Sequence, residues 1–170
     1  MKTSLLIFSG LLIFFSCSPA KNDSDIFLIA KQDSKNGLFG YYNQKNEKVL
    51  GDYPMVFTDT LIDFAIIYDS EFIMIGKDGK VLHTIYPFEN GPDYESEGTM
   101  RIVKDGLIGY INSRTAEVIV KPQYECAFPF EDGLAKVSLN CQKIKHENDE
   151  HTELQSQEWF YIDRTGKRVN

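Results

Sequence analysis

The sequence is short of most residue types that surface chemistry needs: three histidines, three cysteines and one tryptophan in 170 residues. Three cysteines cannot make the dense disulfide framework of a small secreted domain. Basic residues are also in the minority, 18 Lys and Arg against 25 Asp and Glu, for a net charge of −7. A chain of that charge has no positive field for phosphates, which excludes a nucleic acid partner. Beyond the extreme N-terminus no window shows apolar residues at the 3.6-residue helical spacing, which argues against amphipathic helices. No serine stands in a G-x-S-x-G elbow, and no glycine-rich phosphate loop precedes a helix. The reading is therefore of a protein that is not an enzyme and takes no cofactor.

What the sequence does have is sheet-forming material: twelve Phe, nine Tyr and many β-branched residues. The N-terminus is separate. Lys2 precedes an apolar run from Leu5 to Phe15, which as a helix would reach about 16 Å, half of a ~30 Å hydrocarbon core. That is too short to span and fits a signal peptide over residues 1–16. Ser16-Cys17 resembles the lipobox of bacterial lipoproteins, despite the bulky Phe14 and Phe15, and makes Cys17 the expected lipidation site. Cleavage after Ser18-Pro19-Ala20 and a buried apolar element are the alternatives. Residues 17–25 then form a polar, lipidated tether to the membrane. Its acidic residues resemble the export signal of surface lipoproteins in the Bacteroidetes. A lipid-anchored place in the bacterial cell envelope follows, on the periplasmic or the surface-exposed side of the outer membrane.

Residues 26–170 repeat. Tyr42, Ile75, Ile111 and Ile162 stand 33, 36 and 51 residues apart, followed four residues later by Asn46, Gly79, Thr115 and Gly166. Periods of this size mark a repeat architecture. Asn36-Gly37 and Asp105-Gly106 are two-residue hairpin signals, with Asp69-Ser70 a weaker counterpart. The expected fold is all-β, an array of about four three-stranded antiparallel meanders, as an open stack or with propeller-like closure. Their strands are placed at 26–32, 38–43 and 47–51; 64–68, 72–76 and 80–85; 99–104, 107–112 and 117–121; and 134–140, 158–163 and 167–170. Connections 52–63, 86–98 and 122–133 carry Pro and aromatics and read as breaks in the ladders. The apolar runs Ile66–Tyr68 and Phe72–Ile75 place the second meander in the middle, covered on both faces.

Gly109-Tyr110-Ile111-Asn112, Val118-Ile119, Pro122-Gln123-Tyr124, Phe130, Gly133-Leu134-Ala135 and Val137 together resemble the WG (Trp-Gly) repeat family. Trp159 to Asp163 with Thr165-Gly166-Lys167 resembles the start of a further copy. No Trp-Gly pair survives: Phe39-Gly40 and Ile108-Gly109 keep the Gly, and Trp159 keeps the Trp. The resemblance implies an exported β-repeat protein acting in interactions, with no catalytic residues to carry over.

Several clusters invite chemistry. The insert 141–157 holds His146 and His151 with Glu147, Asp149, Glu150 and Glu153. Their H-x₄-H spacing is not that of two imidazoles on one helical face, so they are weak metal candidates and a solvated hairpin loop or short exposed helix is expected. Glu89, Asp93, Glu95 and Glu97 lack a calcium loop's spacing and read as a surface loop. Tyr41, Tyr110, Phe160 and Tyr161 could stack on sugars, but their repeat-equivalent places favour core packing. Cys126, beside aromatics, reads as a buried free thiol ahead of a bridge to Cys141. His83 falls in a strand among apolar neighbours. The expected role is binding a protein or an envelope component, with glycan binding through exposed aromatics as the alternative.

Overall fold

The computed structural model describes residues 27–145 and 152–169, and all its regular structure there is β. The first meander is β1 (Leu28–Gln32), β2 (Phe39–Tyr42) and β3 (Lys48–Tyr53), followed by β4 (Met55–Val56) and β5 (Thr60–Leu61). The second is β6 (Phe64–Asp69), β7 (Glu71–Gly76) and β8 (Val81–Ile85), followed by β9 (Pro87–Phe88) and β10 (Gly91–Pro92). The third is β11 (Thr99–Lys104), β12 (Leu107–Asn112) and β13 (Val118–Tyr124), followed by β14 (Cys126–Glu131). The fourth begins with β15 (Leu134–Ser138). A side hairpin then interposes, β16 (Gln142–Lys145) with β17 (Thr152–Gln155), before β18 (Phe160–Asp163) and β19 (Arg168–Val169) complete the meander.

The four meanders thus stand where the sequence puts them, and the insert is a hairpin. The connections differ from expectation: they are strands, and they supply the rule of assembly. After each third strand the chain crosses to pair antiparallel with the first strand of the next copy. Met55 and Val56 face Tyr68 and Ile67; Thr84 and Ile85 face Val103 and Ile102; Cys126 and Ala127 face Ser138 and Val137. In the second copy β8 does both jobs without a break. Copies two and three are consequently one seven-stranded sheet, β13-β12-β11-β8-β7-β6-β4.

Proline does not interrupt the ladders as expected. Pro122 lies inside β13, where the register against β12 shifts between Ile108↔Tyr124 and Tyr110↔Val120. That bulge absorbs the missing donor. β1 is paired on one edge by β2 and on the other by β5. Among the described residues no strand of the fourth meander pairs with the first, so in its hydrogen bonding the array is open.

Turn chemistry fixes the registers. Asp105 and Gly106 have φ of 53° and 79°, the type I′ geometry the pair predicts. Asp132 (51°) and Gly133 (78°) repeat it between β14 and β15, a turn that the reading of 122–133 as irregular overlooks. Asn36-Gly37 is different. Only Gly37 is left-handed, and the Asp33 N–H donates to the Leu38 carbonyl, so the loop is four residues, not two. The second turn of each copy places a left-handed residue at Asn46, Gly79 and Gly166, but in the third copy at Ala116 instead of Thr115. That loop is one residue longer, closed by Asn112 N–H to the Glu117 carbonyl where the first copy closes Asn43 to Glu47. Side-chain oxygens of Asn43, Asn112 and Asp163 accept backbone N–H groups in three of these turns.

Among the described residues three apolar clusters fill the array. Leu28, Tyr41, Leu61, Ala65, Ile67, Ile73 and Ile75 join copies one and two. Met74, Ile85, Ile102 and Ile111 lie on the opposite face of the large sheet, so the second meander is covered on both sides as expected. Ile108, Tyr110, Val120, Tyr124, Phe130, Val137 and Ile162 join copies three and four. Each such side chain contributes about 1.5–3 kcal/mol on burial, but only across a junction, so no copy has a core of its own.

Candidate functional site

Among the described residues, charge in the interior is concentrated at one place. Arg101, 3% exposed, meets Asp93, 4% exposed. The guanidinium donates through Nη2 to Oδ1 at 2.5 Å and through Nε to Oδ2 at 3.1 Å. Its Nη1 donates to the Ala127 carbonyl at 2.9 Å, and its plane lies 4.4 Å from the Tyr86 ring centre. Asp93 Oδ2 also accepts the Arg101 backbone N–H. Asp93 corrects the sequence reading, which put it in a surface loop. The two side chains are spent on each other: the pair ties 86–98 to β11 and reaches across to β14. It is a clamp inaccessible to a ligand.

The other acidic residues disperse. Glu95 accepts the Gly98 N–H, and Glu97 accepts from Gly133 N–H and from Arg164 at 3.0 Å. The Arg164 guanidinium, with the Gly133 N–H, holds the Glu97 carboxyl below the ordinary glutamate value. Glu89 stays exposed. His83 donates Nε2–H to the Ala116 carbonyl at 2.8 Å, which fixes its tautomer and steadies the left-handed residue of that turn. Among the described residues no three of His, Cys, Asp and Glu gather as metal ligands do. Cys17, His146, His151, Glu147, Asp149 and Glu150 lie outside the described residues, while Glu153 is exposed on β17.

The aromatics divide by copy. Tyr41 and Tyr110 are fully buried core residues, as expected, and each hydroxyl donates to a carbonyl of the following connection, Thr58 at 2.6 Å and Phe128 at 2.7 Å. Burial pushes both phenols well above the ordinary tyrosine value. Phe160 is half-buried against the third cluster. Tyr161 departs from the core reading: it is 49% exposed.

Tyr161 belongs to a surface. It pairs across the strands with Lys136 of β15, on the outward side opposite the core residues Ala135 and Val137. Trp159 and Phe128 join them, their ring centres 5.5 Å apart, with Lys136 Nζ 5.0 Å from the indole. Ser138 continues the same face of β15, and its hydroxyl meets that of Ser156 at 2.8 Å. Ser156 lines a recess of about 670 Å³ at the root of the side hairpin, with Asn140, Gln142, Gln155, Gln157 and Glu158. A second hollow, about 820 Å³, opens where β8 and β11 diverge beyond their two shared pairs, between Val81, Leu82, His83, Ile102, Lys104 and Lys121.

The side hairpin is held at its root by a disulfide from Cys126 to Cys141, Cα atoms 5.8 Å apart. This overturns the free-thiol reading of Cys126. The Cys126 side chain is buried as foreseen, but its register opposite Ser138 brings the chain leaving β15 back over it. The Cys141 N–H donates to Glu125 at 2.7 Å, fastening the same corner.

Compared with known proteins, residues 108–140 match the family model described as "WG containing repeat". That segment runs from β12 through β13 and β14 into β15, so the sequence repeat straddles two structural meanders. No curated protein and no solved structure matches the chain.

Proposed function

Starting from a chain whose residues 108–140 form a WG containing repeat, we propose a non-catalytic binding module, exported and held at a bacterial membrane by lipid on Cys17. The observation that carries the binding role is the outward face of the fourth sheet, where Phe128, Lys136, Trp159 and Tyr161 lie together and partly exposed. The buried charged side chains Asp93 and Arg101 are engaged with each other, as in a scaffold. The disulfide supports export, since such bonds persist in oxidising compartments. The partner is a protein or an envelope component met from the membrane surface.

The anchor is tested by expressing the full chain and its Cys17→Ser variant in a bacterial host fed a labelled fatty acid. Label and detergent-phase partitioning should be lost in the variant; equal labelling overturns the assignment. Binding is tested by pull-down from native membranes with the wild-type chain and with Phe128→Ala/Tyr161→Ala. Specific capture that the double variant loses supports the role, and capture indifferent to it overturns the assigned face.

A further inference from the structure

The recess beside the fourth sheet is lined by one kind of chemistry. Of its six lining residues four are amides, Asn140, Gln142, Gln155 and Gln157, with the Ser156 hydroxyl and the single carboxylate of Glu158. Gln142 and Gln155 face each other directly across the hairpin. Each amide offers two donors and an acceptor with two lone pairs, so together they suit a ligand covered in groups that both donate and accept. The one charged group in the lining is the Glu158 carboxylate, so an anion would find little to bind.

The floor is built, not incidental. Ser138 is fully buried, donates to the Asn140 carbonyl at 2.9 Å and touches Ser156, while the Glu158 N–H donates to Ser156 Oγ at 3.0 Å. The disulfide at Cys141 fixes the hairpin root one residue before Gln142. Hydroxyls and backbone thus satisfy one another underneath, and the glutamine amides have no partner among the described residues. Trp159 directly follows Glu158 and starts the aromatic face with Phe128 and Tyr161.

From this juxtaposition of an amide-lined recess and an exposed aromatic face along one side of β15, we infer that the fourth sheet binds a neutral oligosaccharide. Its hydroxyls bond to Gln142, Gln155 and Gln157, and the apolar face of a neighbouring ring lies on Trp159 or Tyr161. Sugars combine these two surfaces in one molecule, hydroxyl edges and C–H faces. The inference rests on the binding role proposed above and names the class of envelope component.

The test uses the purified full chain in detergent micelles on an array of neutral and acidic oligosaccharides, with Gln142→Ala/Gln155→Ala and Trp159→Ala beside it. Near-ultraviolet circular dichroism and an intact disulfide establish that the variants fold. The expected result is binding to neutral oligosaccharides weakened at least tenfold by each variant. Loss with Trp159→Ala but not with the glutamine pair overturns the recess while leaving an aromatic glycan surface. No array signal, with membrane pull-down still returning a protein that depends on Phe128 and Tyr161, overturns the sugar and keeps the binding module.

Discussion

Gly109 lies flush against the backbone at Pro122: a β-carbon added to it would stand 2.5 Å from the proline nitrogen and 2.5 Å from the Val120 carbonyl oxygen. The bulge that admits a proline into β13 pushes that strand onto its neighbour, and only a residue without a side chain fits opposite. Gly40 is the matching residue of the first copy, with the Leu50 carbonyl 3.0 Å from the place of its β-carbon. The glycine at this place in the first and third copies is thus a spacing requirement, between β2 and β3 and between β12 and β13.

Gly109→Ala should therefore destabilise by about 3 kcal/mol, at the upper end of overpacking costs. Gly106→Ala has open space around it but a φ of 79°, and should cost about 1–2 kcal/mol from the left-handed backbone alone. Urea unfolding of both variants gives the comparison. An equal cost would mean that β13 shifts freely.

Arg101→Met leaves the Asp93 carboxylate buried without its partner and should cost about 3–5 kcal/mol. Arg101→Met/Asp93→Leu removes both charges and should lose less than the single variant. A double variant worse than either single one, again by urea unfolding, would contradict the clamp.

Tyr41 and Tyr110 make stability fall at high pH. Burial raises both phenols above the ordinary value of 10.0. Above that pH the unfolded chain loses phenolic protons that the folded chain keeps, so unfolding gains. The contribution is complete below pH 10 and declines as pH rises further. In unfolding titrations from pH 8 to 11, wild type should lose stability more steeply than Tyr110→Phe, which starts about 1–2 kcal/mol lower for its lost hydrogen bond. Parallel curves would refute this.

Reducing the disulfide should lower stability by about 3 kcal/mol, the loop-closure value for a separation of 15 residues. Amide exchange should quicken first in Gln142–Lys145 and Thr152–Gln155, which are rooted there. Unchanged exchange in this hairpin after reduction would show that the Cys141 N–H bond to Glu125 is sufficient.

The meanders were legible because period-two strands and left-handed turn residues act locally; Asp105-Gly106 and Gly166 needed no information from elsewhere. The connections were not, because Pro122 and Pro87 read as breakers, and a bulge that accommodates a proline depends on the strand opposite. Arg101 hid for a similar reason. Its alternation pointed outward, and only the return of 86–98 over β11 makes that side an interior. Cys141 was read with a solvated insert, yet its position is set by Ser138, where β15 ends facing Cys126. Asp132-Gly133 was a signal in plain view, overlooked because the stretch around it was read as a break in the ladders. Of the face now assigned to binding, Trp159 and Tyr161 were noticed, while the glutamines carried no pattern until the hairpin brought them together.

The unbroken run of β8 from one copy into the next has a bearing on how such chains are rearranged. Cutting at Ile85 strips copy three of its outer ladder, and cutting at Val81 strips copy two of its last, so recombination between these copies leaves one of them incomplete. At the neighbouring borders the chain turns a corner at Pro54 and after Tyr124, where a cut leaves the ladders on either side intact. Copies two and three keep all their ladders only when they are moved together.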